Sequence, residues 1–310
     1  MRIYLAPMEG ITTYLFRNAF DKFYGGIDCY YTPFIANRHM IQKERYEADP
    51  AHNEGLRVVP QVLTNDIDAF VSLSEQFAAL GYDEVNLNLG CPSGTVVSKR
   101  KGSGMLYDPE KLDDFLTLAF KRIPLPISVK TRIGIRELSE WDEILSVYKK
   151  HPIKELIIHP RLQKQFYRES PDLASYVKAT KELDIPLCYN GDIYDTDSMK
   201  RILEAAPDTQ AVMLGRGLLR NPELPMILLG KKDADAPRDM DRFLAFHEEI
   251  VSEYKKIMPG EVQLLHRMKE LLNYLVYYIS NHPEDDIKKI RKAKSLPEYM
   301  SAVRIVARNQ

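Results

Sequence analysis

The chain has 310 residues, 45% of them apolar and 28% charged, with 43 basic against 44 acidic side chains and a net charge of −1. That length and balance suit a globular protein with one barrel-sized core and a smaller unit beside it, and they exclude a disordered chain or a uniformly basic one. The sequence opens Arg2-Ile3-Tyr4-Leu5-Ala6-Pro7 without the apolar stretch of a secretory signal, and it holds no run of the roughly 18 apolar residues a membrane span needs, so a cytoplasmic protein with no membrane partner is expected.

In chain order, short apolar runs alternate with helical patterns. Strands are predicted at 3–8, 29–35, 58–63, 84–89, 127–131, 155–159, 187–190 and 211–214, and helices at 13–23, 67–80, 109–122, 139–149, 170–181, 196–205 and 218–229. Eight βα units in this span predict an α/β fold, a (β/α)8 TIM barrel, whose usual size is about 250 residues. Residues 36–55 read as a loop with its own helical turn, lying over the barrel mouth. A charged, turn-forming stretch at 231–237 follows, and beyond it only helices are predicted, at 243–257, 264–280, 284–294 and 297–306. The expected domains are therefore a barrel over 1–235 and a small all-helical unit over 238–310. Cys29, Cys91 and Cys188 are far apart and lack ligand spacing, so free thiols are expected and no metal site.

Barrel active sites form at the carboxyl ends of the strands. Here those ends carry Pro7-Met8-Glu9-Gly10, Gln61, Asn88 with Cys91, Lys130 with Arg132, His159-Pro160-Arg161, Asn190-Gly191-Asp192 and Gly215-Arg216-Gly217. Each is weak alone: Asn-Gly suits a plain turn, and a histidine at a strand end is often structural. Together they place amide, thiol, ammonium, guanidinium and imidazole groups around one mouth. Glycines after the last two strands let backbone amides approach a phosphate, Arg216 adds a charged fork, and Lys130 with Gln61 can meet a large polar heterocycle. A phosphorylated flavin, FMN, meets that description.

The segments "LAPMEGIT" (5–12), "NLGCPSG" (88–94), "KGSGML" (101–106), "SVKTRIG" (128–134), "IHPRLQKQFY" (158–167), "NGDI" (190–193) and "MLGRG" (213–217), in this order, resemble the tRNA-dihydrouridine synthases. The similarity continues more faintly into "RMKELLNYL" (267–275), which looks like that family's basic helix. The resemblance implies a flavoprotein that uses NADPH to reduce the C5–C6 double bond of particular uridines in tRNA. It implies that Pro7, Met8, Gln61, Lys130, His159, Asn190, Gly191, Asp192, Gly215 and Arg216 hold FMN. It implies too that Asn88, Arg132 and Tyr167 orient the uracil, with Lys99, Arg267 and Lys269 as further tRNA contacts, and a monomer is expected. The loop after the sixth strand departs from the family pattern at Pro160, Leu162 and Phe166, while His159, Arg161 and Tyr167 match it.

Hydride delivery from flavin N5 to C6 leaves C5 in need of a proton, and Cys91 is the catalytic residue expected to supply it. An ordinary thiol, with a pKa of about 8.5, is mostly protonated near neutrality and can act as a general acid. A thiolate role would need a depressed pKa, for which Lys99, Arg100 and Lys101 are at hand. The glycines at 102 and 104 suggest a flexible segment able to close on substrate. A target base inside folded tRNA must be turned out at a cost of a few kcal/mol. The tail's Lys288, Lys289, Arg291, Lys292, Lys294, Arg304 and Arg308, with Glu298 the one acid from 288 onward, read equally as a solvated helix end on charge alone, and the resemblance implies a phosphate patch that offsets that cost. Two other readings are a flavin barrel acting on a small pyrimidine and a non-catalytic tRNA-binding protein that keeps the fold.

Overall fold

The computed structural model describes residues 1–309. Nine parallel strands run β1 (Arg2–Leu5), β2 (Cys29–Tyr31), β3 (Val58–Val59), β4 (Gln61–Val62), β5 (Val85–Leu89), β6 (Ile127–Arg132), β7 (Leu156–His159), β8 (Leu187–Tyr189) and β9 (Ala211–Leu214). They pair in the order β3-β2-β1-β9-β8-β7-β6-β5-β4. The predicted third strand is cut in two at Pro60, which has no N–H to give the ladder. Its first half pairs with β2 and its second with β5. The two ends of the sheet are thus one continuous piece of chain, and the Ile35–Val62 bridge, with Thr32 Oγ1 accepting from the Gln61 N–H at 3.0 Å, closes the ring as a TIM barrel.

Helices cover the outside, which is why the strands are buried on both faces. The interior is a packed layer of Tyr4, Cys29, Tyr31, Ile157, Cys188 and Met213, among others. The amino-terminal end is sealed by Glu155, which accepts from the Tyr4 hydroxyl at 3.0 Å and pairs with Arg2 at 3.1 Å. The helix predicted over 218–229 is two short helices, Arg216–Arg220 and Leu224–Leu228. Pro222 drives Asn221 into extended backbone (φ −143°, ψ 96°), and Pro225 sits in the first turn of the second piece. The 36–55 segment forms the helix Gln42–Ala48 and a turn of 3-10 helix, tied down by two buried carboxylates. Glu44 accepts from the backbone of Ala36 and Ile41, and Glu47 accepts from the Tyr14 N–H and pairs with Arg17.

Four helices follow, Met240–Ile257, Glu261–Ile279, Pro283–Ile290 and Leu296–Arg308. The first lies on the Tyr14–Phe23 helix of the barrel, with the Phe246 ring against Phe16, Phe20, Phe23 and Tyr24 at 5.3 to 6.3 Å between centroids. One hydrophobic cluster runs through both parts of the chain. The basic tail is less bare than its sequence reads. Asp285 and Asp286, one turn upstream, pair with Lys288 and Lys289, and Glu248 of the first tail helix takes Arg304. Arg291 donates to the Asn273 side chain at 2.5 Å. The acids that answer these cations precede residue 288, so the count from 288 onward overstated the patch.

Candidate active site

The carboxyl ends of the strands open into a trough of two lobes, of about 370 and 530 Å³, in the range of small-molecule sites. Pro7, Met8, Lys130, His159, Tyr167 and Tyr274 border both lobes. The first lobe extends to Asn190, Gly191, Asp192, Gly215 and Arg216, and the second to Gln61, Asn88 and Cys91. Parallel register explains the grouping. Asn88 stands level with Lys130, and Arg132 with His159, so alternate residues of β5 and β6 point to the barrel axis at the same height.

Inside the second lobe a chain of side-chain amides fixes itself from one end. The backbone N–H groups of Gly90 and Cys91 donate to Asn88 Oδ1 at 3.0 and 2.9 Å, which leaves Asn88 Nδ2 to donate to Gln61 Oε1 at 2.7 Å. Gln61 Nε2 then donates to Asn86 Oδ1, and Asn86 Nδ2 to Ser128 Oγ. Because two backbone donors set the first amide, every later one has a single orientation. The Cys91 backbone is gripped from the other side by Ser103, whose N–H and hydroxyl both reach the Cys91 carbonyl, at 3.1 and 2.8 Å. Gly102 has φ +56°, and a Cβ there would lie 2.9 Å from both the Cβ and the carbonyl oxygen of Cys91. The segment read as flexible is instead a buried turn of 3-10 helix, Gly102–Tyr107, in which glycine permits close packing.

Burial pushes the Cys91 thiol above its ordinary value, and Arg132 and Lys130 offset this only in part. A hydrogen bond from the Ser93 N–H acts in the same direction as these two cations and ahead of either. The thiol is therefore protonated at neutral pH. Lys130 has no hydrogen-bond or ion-pair partner among the described residues, and burial followed by the neighbouring Arg132 lowers it to about 8. Nearby, Arg161 Nη1 donates to His159 Nε2 at 2.9 Å, so the imidazole is neutral and carries its proton on Nδ1. Burial, with Arg132, Lys130, Arg161 and Arg216 around it, holds His159 well below the usual histidine range.

Asp192 is clamped between Arg161 and Arg216, the latter at 2.6 Å. The N–H groups of Asp192, Ile193, Arg216 and Gly217 reach no acceptor among the described residues, which leaves a set of donors at the edge of the first lobe. Of the glycines here only Gly215 has room for a Cβ, which would make ordinary contacts with Ala6 at 3.5 Å and Met8 at 3.7 Å. A Cβ on Gly217 would fall 1.8 Å from the Ile193 carbonyl oxygen, and one on Gly191 would meet Pro171 at 3.0 Å, so those two admit the chain's own atoms.

Four residues read as substrate contacts do not border the trough. Arg132 is buried behind it, donating to the carbonyls of Gly90 (3.1 Å), Leu162 (2.8 Å) and Phe166 (2.7 Å), and thereby binds the loop after β5 to the loop after β7. Lys99 lies on the exposed rim. Arg267 donates to the Gly10 carbonyl at 2.7 Å, and Lys269 donates to that of Ala293 at 2.6 Å within the helical tail. Tyr167 is exposed, with Arg216 and Arg132 4.7 and 5.3 Å from its ring centre. Phe166, one of the departures noted above, borders the second lobe with φ +50°, a conformation an aromatic residue rarely takes.

Sequence reasoning missed Glu270 and Tyr274 of the Glu261–Ile279 helix and Arg220, which stacks on Tyr277 at 4.2 Å. The available signal was the spacing of Arg267, Glu270, Tyr274 and Tyr277, which puts polar and aromatic groups on one helical face.

The dihydrouridine synthase family model matches residues 4–302. A probable tRNA-dihydrouridine synthase 2 of Bacillus subtilis (strain 168) is 28% identical over 304 residues, 95% of this chain and 82% of that protein. The tRNA-dihydrouridine synthase B of Pasteurella multocida (strain Pm70) is 30% identical over 233 residues, 72% of this chain and 67% of that protein. Among solved structures, a 2-naphthoyl-CoA reductase in complex with 2-naphthoyl-CoA aligns with a TM-score of 0.56 at 12% identity, over 74% of this chain and 50% of that one. Morphinone reductase aligns with a TM-score of 0.51 at 11% identity, over 78% and 88%. At such identities the likeness is one of fold.

Proposed function

The chain belongs to the dihydrouridine synthase family, and on that premise we propose that it reduces the C5–C6 double bond of uridines in tRNA, with FMN in the trough and NADPH as reductant. The observation that carries this reading is the meeting, in one lobe, of an ammonium without a protein partner, Lys130, and a protonated thiol, Cys91. The donor set suits FMN: Lys130 and the Gln61 amide meet a polar heterocycle. The unbonded N–H groups at 192–193 and 216–217, with the Arg216 fork, suit a phosphate. Pro7, Met8, His159, Asn190, Gly191, Asp192 and Gly215 would form the remaining walls.

When bound, FMN supplies hydride to C6 of the uracil. Cys91 Sγ–H then delivers the proton to C5, and its raised pKa keeps that proton available at neutral pH. Asn88 acts by holding the Gly90-Cys91 backbone, and Arg132 by holding the two loops that carry Cys91 and Tyr167. Lys130 would stabilise negative charge at the heterocycle, since no carboxylate among the described residues pairs with it.

The test is single-turnover reoxidation of the reduced holoprotein by unmodified tRNA. Cys91→Ala should take hydride from NADPH normally, then reoxidise about 10² to 10⁴ times more slowly than the native protein. Reoxidation at the native rate would remove Cys91 from the chemistry, and equal rates with free uridine and with tRNA would replace the tRNA assignment by a small pyrimidine.

A further inference from the structure

The loop after β5 has two ends. Cys91 at one end borders the trough, and Tyr107 at the other is 44% exposed on the rim. Arg100 and Arg136 come from separate loops to flank that ring, their guanidinium carbons 4.3 and 5.4 Å from its centre. Below them lies an open hollow bordered by Val97, Tyr107, Ile135, Gln163 and Lys164.

Neither guanidinium donates to any described residue, and none of Lys99, Arg100, Lys101, Arg136 and Lys164 has an ion-pair partner among the described residues. The acids within reach are otherwise engaged. Glu140 accepts from the backbone of Ile135, Arg136 and Glu137, and Asp108 pairs with Lys111 at 2.6 Å. Glu137 is the one carboxylate lining the hollow among the described residues, where Arg136 and Lys164 also lie, with Arg100 above them on the Tyr107 ring.

Backbone strain and packing hold the arrangement. Arg100 sits at φ +55°, and Gln163 Nε2 donates to the Pro92 carbonyl at 3.0 Å, locking the loop after β7 to the loop of Cys91. The same two loops thus frame the trough on one side and this cationic hollow on the other. A guanidinium stacked on an aromatic ring keeps its N–H fork free and pre-aimed, the geometry that takes a phosphate oxygen pair.

We propose that Tyr107, Arg100 and Arg136, with Lys164 beside them, form a phosphodiester-binding subsite that holds the RNA strand next to the nucleotide presented to Cys91. The inference rests on the reading that the substrate is a tRNA. Tyr107 serves as the platform that aligns the two arginines, and the contacts are to the backbone of the RNA, so the subsite is indifferent to base sequence.

The experiment is fluorescence-anisotropy titration of the holoprotein with an in vitro transcribed tRNA over a series of salt concentrations. If the native protein shows no salt-dependent tRNA binding, the tRNA reading itself fails. Given that binding, R100Q/R136Q should bind about tenfold or more weakly, and its log–log salt slope should shrink by about 1.4, two single-strand phosphate contacts. Y107L should weaken binding while keeping the native slope, because both charges remain. Unchanged thermal midpoints establish that these exposed variants fold. Native affinity and slope in R100Q/R136Q would overturn the proposal. So would a loss confined to the KM for NADPH, which would assign the hollow to the dinucleotide's phosphates.

Discussion

Lys130 is a cation at the barrel mouth with no carboxylate beside it, and its titration is the most direct handle on the site. Burial and Arg132 lower it to about 8, so between there and the ordinary lysine value of about 10.4 the unfolded chain holds a proton that the folded one does not. Stability of the flavin-free protein should therefore rise with pH across that window, as far as this group decides it. Affinity for FMN should run the other way, strong below about pH 8 and falling above it as the ammonium is lost. Fluorescence titration of FMN across this range checks the point, with Lys130→Met as the variant whose affinity is weak and flat. A native curve flat through pH 8 would remove Lys130 from the cofactor site. Cys91 behaves oppositely: its raised value means that the tRNA half-reaction keeps its proton donor until the pH passes the ordinary thiol range. Both residues were legible in the sequence because an apolar strand that ends in a polar residue announces the barrel mouth. Tyr274 and Arg220 were not, since nothing local to a helix tells which distant lobe its aromatic face will close.

At the scale of elements, the loops after β5 and β7 are the working parts, and Arg132 is what joins them. Its three carbonyl partners belong to both loops, Gly90 on one and Leu162 and Phe166 on the other. Read from sequence it was a substrate ligand, because a strand-end arginine looks the same whether it meets substrate or backbone. Arg132→Met leaves three carbonyls without their donor, an expected loss of about 3 kcal/mol if each costs about 1. Since Cys91 and Tyr167 ride on those loops, kcat and the KM for tRNA should worsen together, whereas loss of a direct uracil contact would leave the stability of the tRNA-free protein nearly native. Denaturant unfolding beside steady-state kinetics separates the two. The predicted strand at 58–63 and helix at 218–229 failed for one shared reason: hydrophobic periodicity carries through a proline that the backbone cannot follow, at Pro60 and at Pro222.

The whole molecule raises the question of whether 1–235 is a barrel that merely carries a tail. A composition change after residue 230 made the boundary easy to see, but composition does not tell whether two parts share a core. Phe16 and Phe20, on the outer side of the first barrel helix, are fully buried, and what covers them is Phe246 of the first tail helix. The Thr13 and Tyr254 hydroxyls add a buried bond of 2.9 Å across the same seam, and the Glu261–Ile279 helix walls the trough through Tyr274. A barrel cut at 235 would expose this aromatic surface to water, at roughly 25 cal/mol per Å². Residues 1–235 alone should therefore be insoluble or bind a hydrophobic dye, and should not retain flavin. In the full chain, Phe246→Ala should cost about 3–5 kcal/mol, the usual range for a buried phenylalanine, and should lower a single unfolding transition seen alike by flavin release and by far-ultraviolet circular dichroism. Two separate transitions in the native protein, with flavin released only in the later one, would mean that the barrel keeps its cofactor without the tail and that the seam is a docking contact between independent domains.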